Sequence, residues 1–416
     1  MSSSPALLSA CFTVLNALLR SKSPLTNVEK NPILSAILKN TFYAQFCAGE
    51  NEAEVRQTRR RLGQMGYDGV ILEYALEVLE AGEKGVTEEE EMKAIEKWKK
   101  GCLDSVSMAE PGDFLGLKWS GLGPGALSLL KSAQPPTPAI ASAISTVCTL
   151  ASTRSVGLLP GAEESGTNPG IDAWTLSLQR SLNRNPSGKA IMYSTYQAYL
   201  KTTPATLAAH LETASREGFT LGVKLVRGAY LAGEQRRGLA WDTKEETDCC
   251  YDELAERLLR REYGGLLQPP ADTGRSARAE RPAFPRVDLV LATHNLASVR
   301  KAQALRARQA ERGEERIPLA YAQLMGMADE VSCELLQAVK AAERERRELK
   351  EAGKGDEAVD VPRALKCSTW GSTAECLNFL LRRAAENRDA ASRTADTRDA
   401  MGREIWRRTK ASVGLS

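Results

Sequence analysis

Histidine is almost missing from this chain: 416 residues hold two, His210 and His294, and neither has a second metal-type ligand at helical or knuckle spacing. That removes the ordinary material of a zinc or di-iron centre. The nine cysteines (Cys11, Cys47, Cys102, Cys148, Cys249, Cys250, Cys333, Cys367, Cys376) form no CxxC pair. Their odd, scattered count reads as reduced intracellular thiols, not as a disulfide framework. Excess charge of one sign is missing too. Fifty-six basic residues stand against 53 acidic ones, intermixed, and give a net +3. No extended basic surface for a nucleic-acid backbone follows from that balance. No apolar run is long enough to span a membrane: the N-terminal "PALLSACFTVLNALLRSK" is broken by Ser9, Thr13 and Asn16. No acidic residue precedes Glu29, and that stretch holds one arginine, Arg20. It reads equally as a weak targeting segment and as a first amphipathic helix packed on the domain.

What is present is a repeat of strand and helix patterns. Short apolar or alternating runs recur at "FYAQFC" (42–47), "GVILEYA" (69–75), "FLGLKWS" (114–120), "SVGLLP" (155–160), "AIMYSTY" (190–196), "LGVKLV" (221–226), "VDLVLAT" (287–293) and "IPLAYAQL" (317–324). Amphipathic stretches such as "NEAEVRQTRRRLGQMG", "AWTLSLQRSLNR", "TPATLAAHLETASREG" and "LASVRKAQALRARQAER" lie between most of them. Eight such units predict an α/β fold, a parallel sheet closed into a (βα)8 barrel of the TIM type. The expected organisation is an N-terminal helical arm over 1–41, the barrel over 42–390 and a C-terminal helical tail over 391–416. Insertions are expected near 80–112, where Thr87 and Glu90 form a capping box, at the Gly/Pro/Arg-rich 264–286, and at the charged 341–363.

Barrel chemistry is built where the strands end. The polar residues there are Lys118 and Ser120 after the third run, Glu163 and Glu164 after the fourth, and Thr195 and Gln197 after the fifth. Lys224 and Arg227 belong to the sixth, Thr293, His294 and Asn295 to the seventh, and Gln323 to the eighth. Lys224 stands out because alternation turns it inward with Gly222 and Val226, and an unpaired buried ammonium is costly. Further on, "ECLNFLLRRAAEN" is an amphipathic helix whose Arg382 and Arg383 lie within reach of Glu386. It reads either as a surface salt-bridge ladder or as a guanidinium clamp for a small carboxylate. On these residues alone a barrel aldolase with a Schiff-base lysine also stays open.

In order, "KLVRGAY", "ATHN", "QLMGMAD" and "LLRRAAEN" resemble proline dehydrogenase, and "FYAQFCAGE" and "STYQAYLKTTPATLAAHL" resemble its fungal members. The resemblance implies a distorted barrel holding FAD, which oxidises L-proline to Δ1-pyrroline-5-carboxylate and passes electrons to a membrane quinone. It implies peripheral membrane association at most, and a mitochondrial home, with the cytoplasm as alternative. Matched position by position, it puts Lys224 beside the flavin ring, with Ala162, Gln197, Arg227, Gly228, Ala229, Thr293, His294 and Asn295 as further FAD contacts. Lys118 and Lys224 become the catalytic pair. Lys118, Arg382, Arg383, Tyr230, Cys367 and Phe379 would face the substrate, with Glu386 ordering the arginines.

Three departures mark the pocket. The family's "DAE" is "GAE" here, with Gly161 in place of the carboxylate. Its "YLPYG" is "CSTWG", with Cys367 in place of a tyrosine, and the tyrosine of the C-terminal helix is Phe379. Smaller and less polar side chains change substrate fit. Hydroxyproline or another cyclic imino acid is therefore an alternative substrate, and a weakly active paralogue with an interaction role is a second alternative.

Overall fold

The computed structural model describes residues 13–76, 87–270 and 283–386, short of isolated positions among 15–29 and 354–357, together with 402, 406 and 407. The start of the N-terminal arm, the 271–282 part of the second expected insertion and almost all of the 391–416 tail lie outside the described residues.

Nine strands form one parallel sheet: β1 Cys47–Gly49, β2 Gly69–Tyr74, β3 Phe114–Leu117, β4 Gly157–Pro160, β5 Tyr193–Gln197, β6 Leu221–Val226, β7 Val287–Ala292, β8 Leu319–Leu324 and β9 Arg363–Trp370. Their order is β4-β3-β2-β9-β8-β7-β6-β5, with β1 added to β9 off that path. Eight strands, β2 to β9, thus make the ring, as the strand count predicts, although one member is different. "FYAQFC" is not a barrel strand: it ends a π-helical turn, Lys39–Tyr43, and makes a short helical turn, Ala44–Phe46, before β1. A six-residue apolar run has no periodicity that separates a strand from a buried helical turn. The true closing strand, "RALKCSTW", falls at the end of the third expected insertion. It carries Lys366 on its outer face, buried and held by Ser332 Oγ (2.8 Å), Asp329 and two backbone carbonyls, so its outward side does not read as apolar.

The other corrections are smaller. The capping-box helix Glu88–Met108 is present with its box formed. It is no insertion but the regular connection from β2 to β3, burying Ile95, Trp98, Cys102 and Val106 against the barrel. The helix Asp329–Glu351 connects β8 to β9 in the same way. The helices after β1, β5 and β7 end or begin where the sequence predicts: Asn51 caps Glu52–Met65, Gly218 closes Thr203–Glu217 in a left-handed turn, and Asn295 caps Leu296–Glu311.

Most of the apolar core lies between ring and helices. A second cluster fills the ring itself: Ile71, Phe114, Leu159, Tyr193, Val290, Ala320, Ala322 and Leu365, with Cys367 packed at its edge. Alternation places these residues on the inner face. The seam between β4 and β5 is the thin part of the ring. It has one bridge, Leu158 opposite Met192, with Leu158 N–H donating to the Ile191 carbonyl at 2.6 Å. Two side chains of β5 stitch the rest: Thr195 Oγ1 donates to Pro160 O (2.5 Å) and Gln197 Nε2 to Glu163 O (3.0 Å).

Candidate active site

At the C-terminal mouth of the ring the inner face turns from apolar to charged. Lys224 follows Gly222 on the inner face of β6, as its alternation predicts, and is half-buried. Burial lowers its pKa, opposed chiefly by the charge of Glu73. Glu73 is the residue that the sequence reading missed. It is the third inward position of β2 after Gly69 and Ile71, and the alternation that singles out Lys224 would have found it. Its space is made by β3: a Cβ on Gly116, its partner in register, would sit 2.3 Å from Glu73 Cγ.

Cys367 of β9 borders both groups. Burial pushes its thiol well above the usual range, the Glu73 carboxylate pushes it further, and Lys224 and Lys118 pull the other way. The sulfur is therefore a neutral thiol. Apart from it, no described residue donates a hydrogen bond to Glu73 or pairs with it, and none accepts from Lys224. Lys118, just past β3, holds its ammonium 4.1 Å above the ring of Phe379, which is buried on the helix Thr373–Glu386. Four of the expected residues, Lys224, Lys118, Cys367 and Phe379, thus converge with Glu73. The side chains of Arg382, Arg383 and Glu386, on the last turn of that helix, lie outside the described residues.

A second constellation sits at the β4–β6 ends. Glu163 accepts from Tyr230 Oη (2.7 Å) and Ser120 Oγ (3.3 Å), which leaves it an anchored carboxylate. Glu164 points out and pairs with Arg237 at 3.4 Å. Gly161 donates to Leu117 O at 2.7 Å, and a Cβ there would meet only that oxygen, at 3.5 Å, so its missing side chain is not forced by crowding. Ala162 follows it, half-buried.

Arg227 is the hub of a third. Its Nε donates to Asp248 Oδ1 (2.6 Å), Nη1 to Thr293 Oγ1 (2.7 Å) and Nη2 to Ser298 Oγ (2.8 Å), and its plane stacks 4.3 Å over Tyr251. Three of five guanidinium N–H groups are thus committed to protein. Asn295 spends its oxygen on the helix cap at Ser298 N–H, and His294 Nε2 accepts from Leu324 N–H (3.1 Å). Gln323 donates to Thr293 O and receives Ser332 Oγ, fully buried. Gly228 has φ +135°, and a Cβ would strike Tyr199 Cδ1 at 1.8 Å. The glycine makes room for that ring, and Ala229 follows half-buried.

Whether these residues suit a flavin is decided by Lys224: a half-buried cation at the mouth, with no described acceptor in contact, fits a ligand that carries or develops negative charge. Among the described residues no group of three His, Cys, Asp or Glu is placed to hold a metal, and no helix is long and apolar enough to cross a membrane.

Comparison with known proteins agrees with this geometry. The mitochondrial proline dehydrogenase 1 of Caenorhabditis elegans is 29% identical over 255 residues, 61% of this chain and 36% of that protein. The hydroxyproline dehydrogenase of Bos taurus is 32% identical over 61% of this chain and 47% of its own. The probable mitochondrial proline dehydrogenase of Schizosaccharomyces pombe is 28% identical, covering 61% and 46%. The chain therefore spans less than half the length of these relatives. In fold it is similar to proline utilization A of Bdellovibrio bacteriovorus, with TM-score 0.59 at 17% identity over 91% of this chain and 37% of that one. The proline dehydrogenase family model matches residues 55–396. A barrel whose mouth carries Lys118, Lys224 and the motifs around them, matched over that length, belongs to the proline dehydrogenase family.

Proposed function

We propose that this protein is an FAD-dependent dehydrogenase of L-proline, yielding Δ1-pyrroline-5-carboxylate and passing electrons to a membrane quinone, with the mitochondrion as its place of work. The observation that carries the reading is Lys224, held half-buried at the strand ends with the Glu73 charge near it and no hydrogen-bond acceptor for its ammonium among the described residues, within the stretch that the family model matches. FAD, when bound, supplies the hydride acceptor. Lys224 contributes positive charge where that chemistry needs it. The backbone around Gly228 and Ala229, Gln197, Ala162, Thr293, His294, Asn295 and the two uncommitted N–H groups of Arg227 would hold the cofactor. Lys118, Arg382 and Arg383 would take the substrate carboxylate, the arginines bidentately and ordered by Glu386. Tyr230, Phe379 and Cys367 would shape the ring pocket.

A second reading has its own observation. Cys367 places a small side chain on the inner face beside Glu73, and hydroxyproline dehydrogenases of several mammals are among the relatives. A polar ring substituent fits that corner better than it fits a tyrosine.

The test is anaerobic reduction of the purified chain. It should carry or take up FAD, and its flavin absorbance should bleach on adding L-proline. A colourless chain that takes up no added FAD overturns the flavoenzyme reading. Bleaching by trans-4-hydroxy-L-proline and not by L-proline selects the second reading. Arg383→Met should raise KM by roughly tenfold or more with FAD still bound; unchanged turnover contradicts the clamp.

A further inference from the structure

A cyclic imino acid is a zwitterion, and a site that receives its carboxylate with cations must also receive its ring ammonium. Among the described residues the mouth offers two carboxylates, Glu73 and Glu163. Glu163 is engaged, one oxygen accepting from Tyr230 and the other from Ser120. Glu73 is not: beyond the neutral Cys367 thiol, no described residue donates to it or forms an ion pair with it. It stands at the ring end of β2 with Lys224 acting on the same pocket, in room that exists only because position 116 is glycine. A half-buried carboxylate with no ion pair in contact, offset only in part by the charge of Lys224, is stabilised further by a cationic ligand.

We infer that Glu73 is the acceptor for the ring ammonium of the substrate, and that the substrate lies between it and the cations that take the carboxylate. This rests on the imino-acid reading above. Glu73 binds and orients the ring nitrogen; Cys367 beside it, with its proton retained, completes the polar corner without competing for the ammonium. The geometry also makes the site selective for a basic ring nitrogen, because a carbocyclic acid of the same shape would leave Glu73 without its cation.

The experiment compares two probes on the FAD-loaded full chain: L-proline or trans-4-hydroxy-L-proline, whichever the wild type oxidises, and cyclopentanecarboxylate, which keeps the ring and carboxylate but has no nitrogen. Glu73→Gln keeps the shape and removes the charge. It should raise KM for the imino acid by roughly tenfold or more while the inhibition constant of cyclopentanecarboxylate rises less than about twofold or falls. Glu73→Asp, which keeps the charge, should recover part of the loss, and melting curves of both variants show that they fold. Equal losses for both probes, or none for either, overturn the assignment while the imino-acid reading stands. A wild type that oxidises neither imino acid overturns both.

Discussion

Single residues decide the shape of the pocket, and two of them can be exchanged to show it. At position 116 a methyl group would lie 2.3 Å from Glu73 Cγ. Gly116→Ala should therefore displace the Glu73 side chain and raise KM for the imino acid, with a loss of stability of about 1–3 kcal/mol on thermal melting. At position 367 the family tyrosine can be restored: Cys367→Tyr should fill the corner and shift relative kcat/KM from trans-4-hydroxy-L-proline towards L-proline by roughly tenfold, measured with both substrates under the same acceptor. Much of the pocket was legible at this scale. Lys224 announces itself as a cation on the inner face of an apolar strand, and the structure keeps it there. Glu73 obeys the same alternation but hides in "GVILEYA", where one acidic residue near a strand end looks like a solvated rim. Nor does the sequence reveal that Arg227 and Asn295 are already bonded to Asp248, Thr293 and Ser298, because those partners come from two other helices and a strand end brought together only by the fold.

At the scale of elements, the strands that mix polarity on both faces are the ones that escape a reading by pattern. β9 escapes because its outward Lys366 is buried and satisfied by loop carbonyls and Ser332, contacts that exist only once β8 and its helix are in place. The helices Glu52–Met65, Thr203–Glu217 and Leu296–Glu311, whose ends are set by local caps, were readable. One helix pair has a pH signature. Asp172 on Asn168–Leu182 is pushed up to about 7 from 3.8 by burial, and His210 on Thr203–Glu217 is pushed down to about 4 from 6.5 by burial, with Arg180 adding to the shift. His210 Nδ1 lies 2.8 Å from Tyr196 Oη, and the Tyr196 hydroxyl is also raised by burial and by Asp172. The two shifts act in opposite senses. Between pH 3.8 and 7 the folded chain keeps a proton on Asp172 that the unfolded chain has released, so this contribution is lost as pH rises. Between pH 6.5 and 4 the unfolded chain binds a proton at His210 that the folded chain refuses, so stability is lost as pH falls. Asp172→Asn removes the first and leaves the second. Relative to the wild type, the variant should lose stability on acidification from pH 6.5 to 4, by up to about 1.4 kcal/mol per pH unit. Parallel melting-temperature profiles for the two proteins would contradict this.

For the whole molecule, the parallel barrel architecture followed from the repeat of run and helix, since each parallel crossover needs a helix, while the expected eight ring strands came out right only because one false run and one missed strand offset each other. What the repeat does not carry is where the ring meets itself. The backbone ladder between β4 and β5 dwindles to Leu158 and Met192, and the threonine and glutamine of β5 take over with side-chain bonds to Pro160 and Glu163. A ring joined at one place by a few stitches breathes there first. In deuterium exchange under native conditions the amide of Leu158, which bonds across that joint, should exchange ahead of those of Val223 and Leu225, which lie within the five-residue register of β6 and β7. Thr195→Val with Gln197→Leu should widen that gap. Because Glu163 and Gly161 lie on the same stretch, each opening of the stitched joint loosens one wall of the mouth, and the ring carries a hatch beside the pocket that its other seven joints do not.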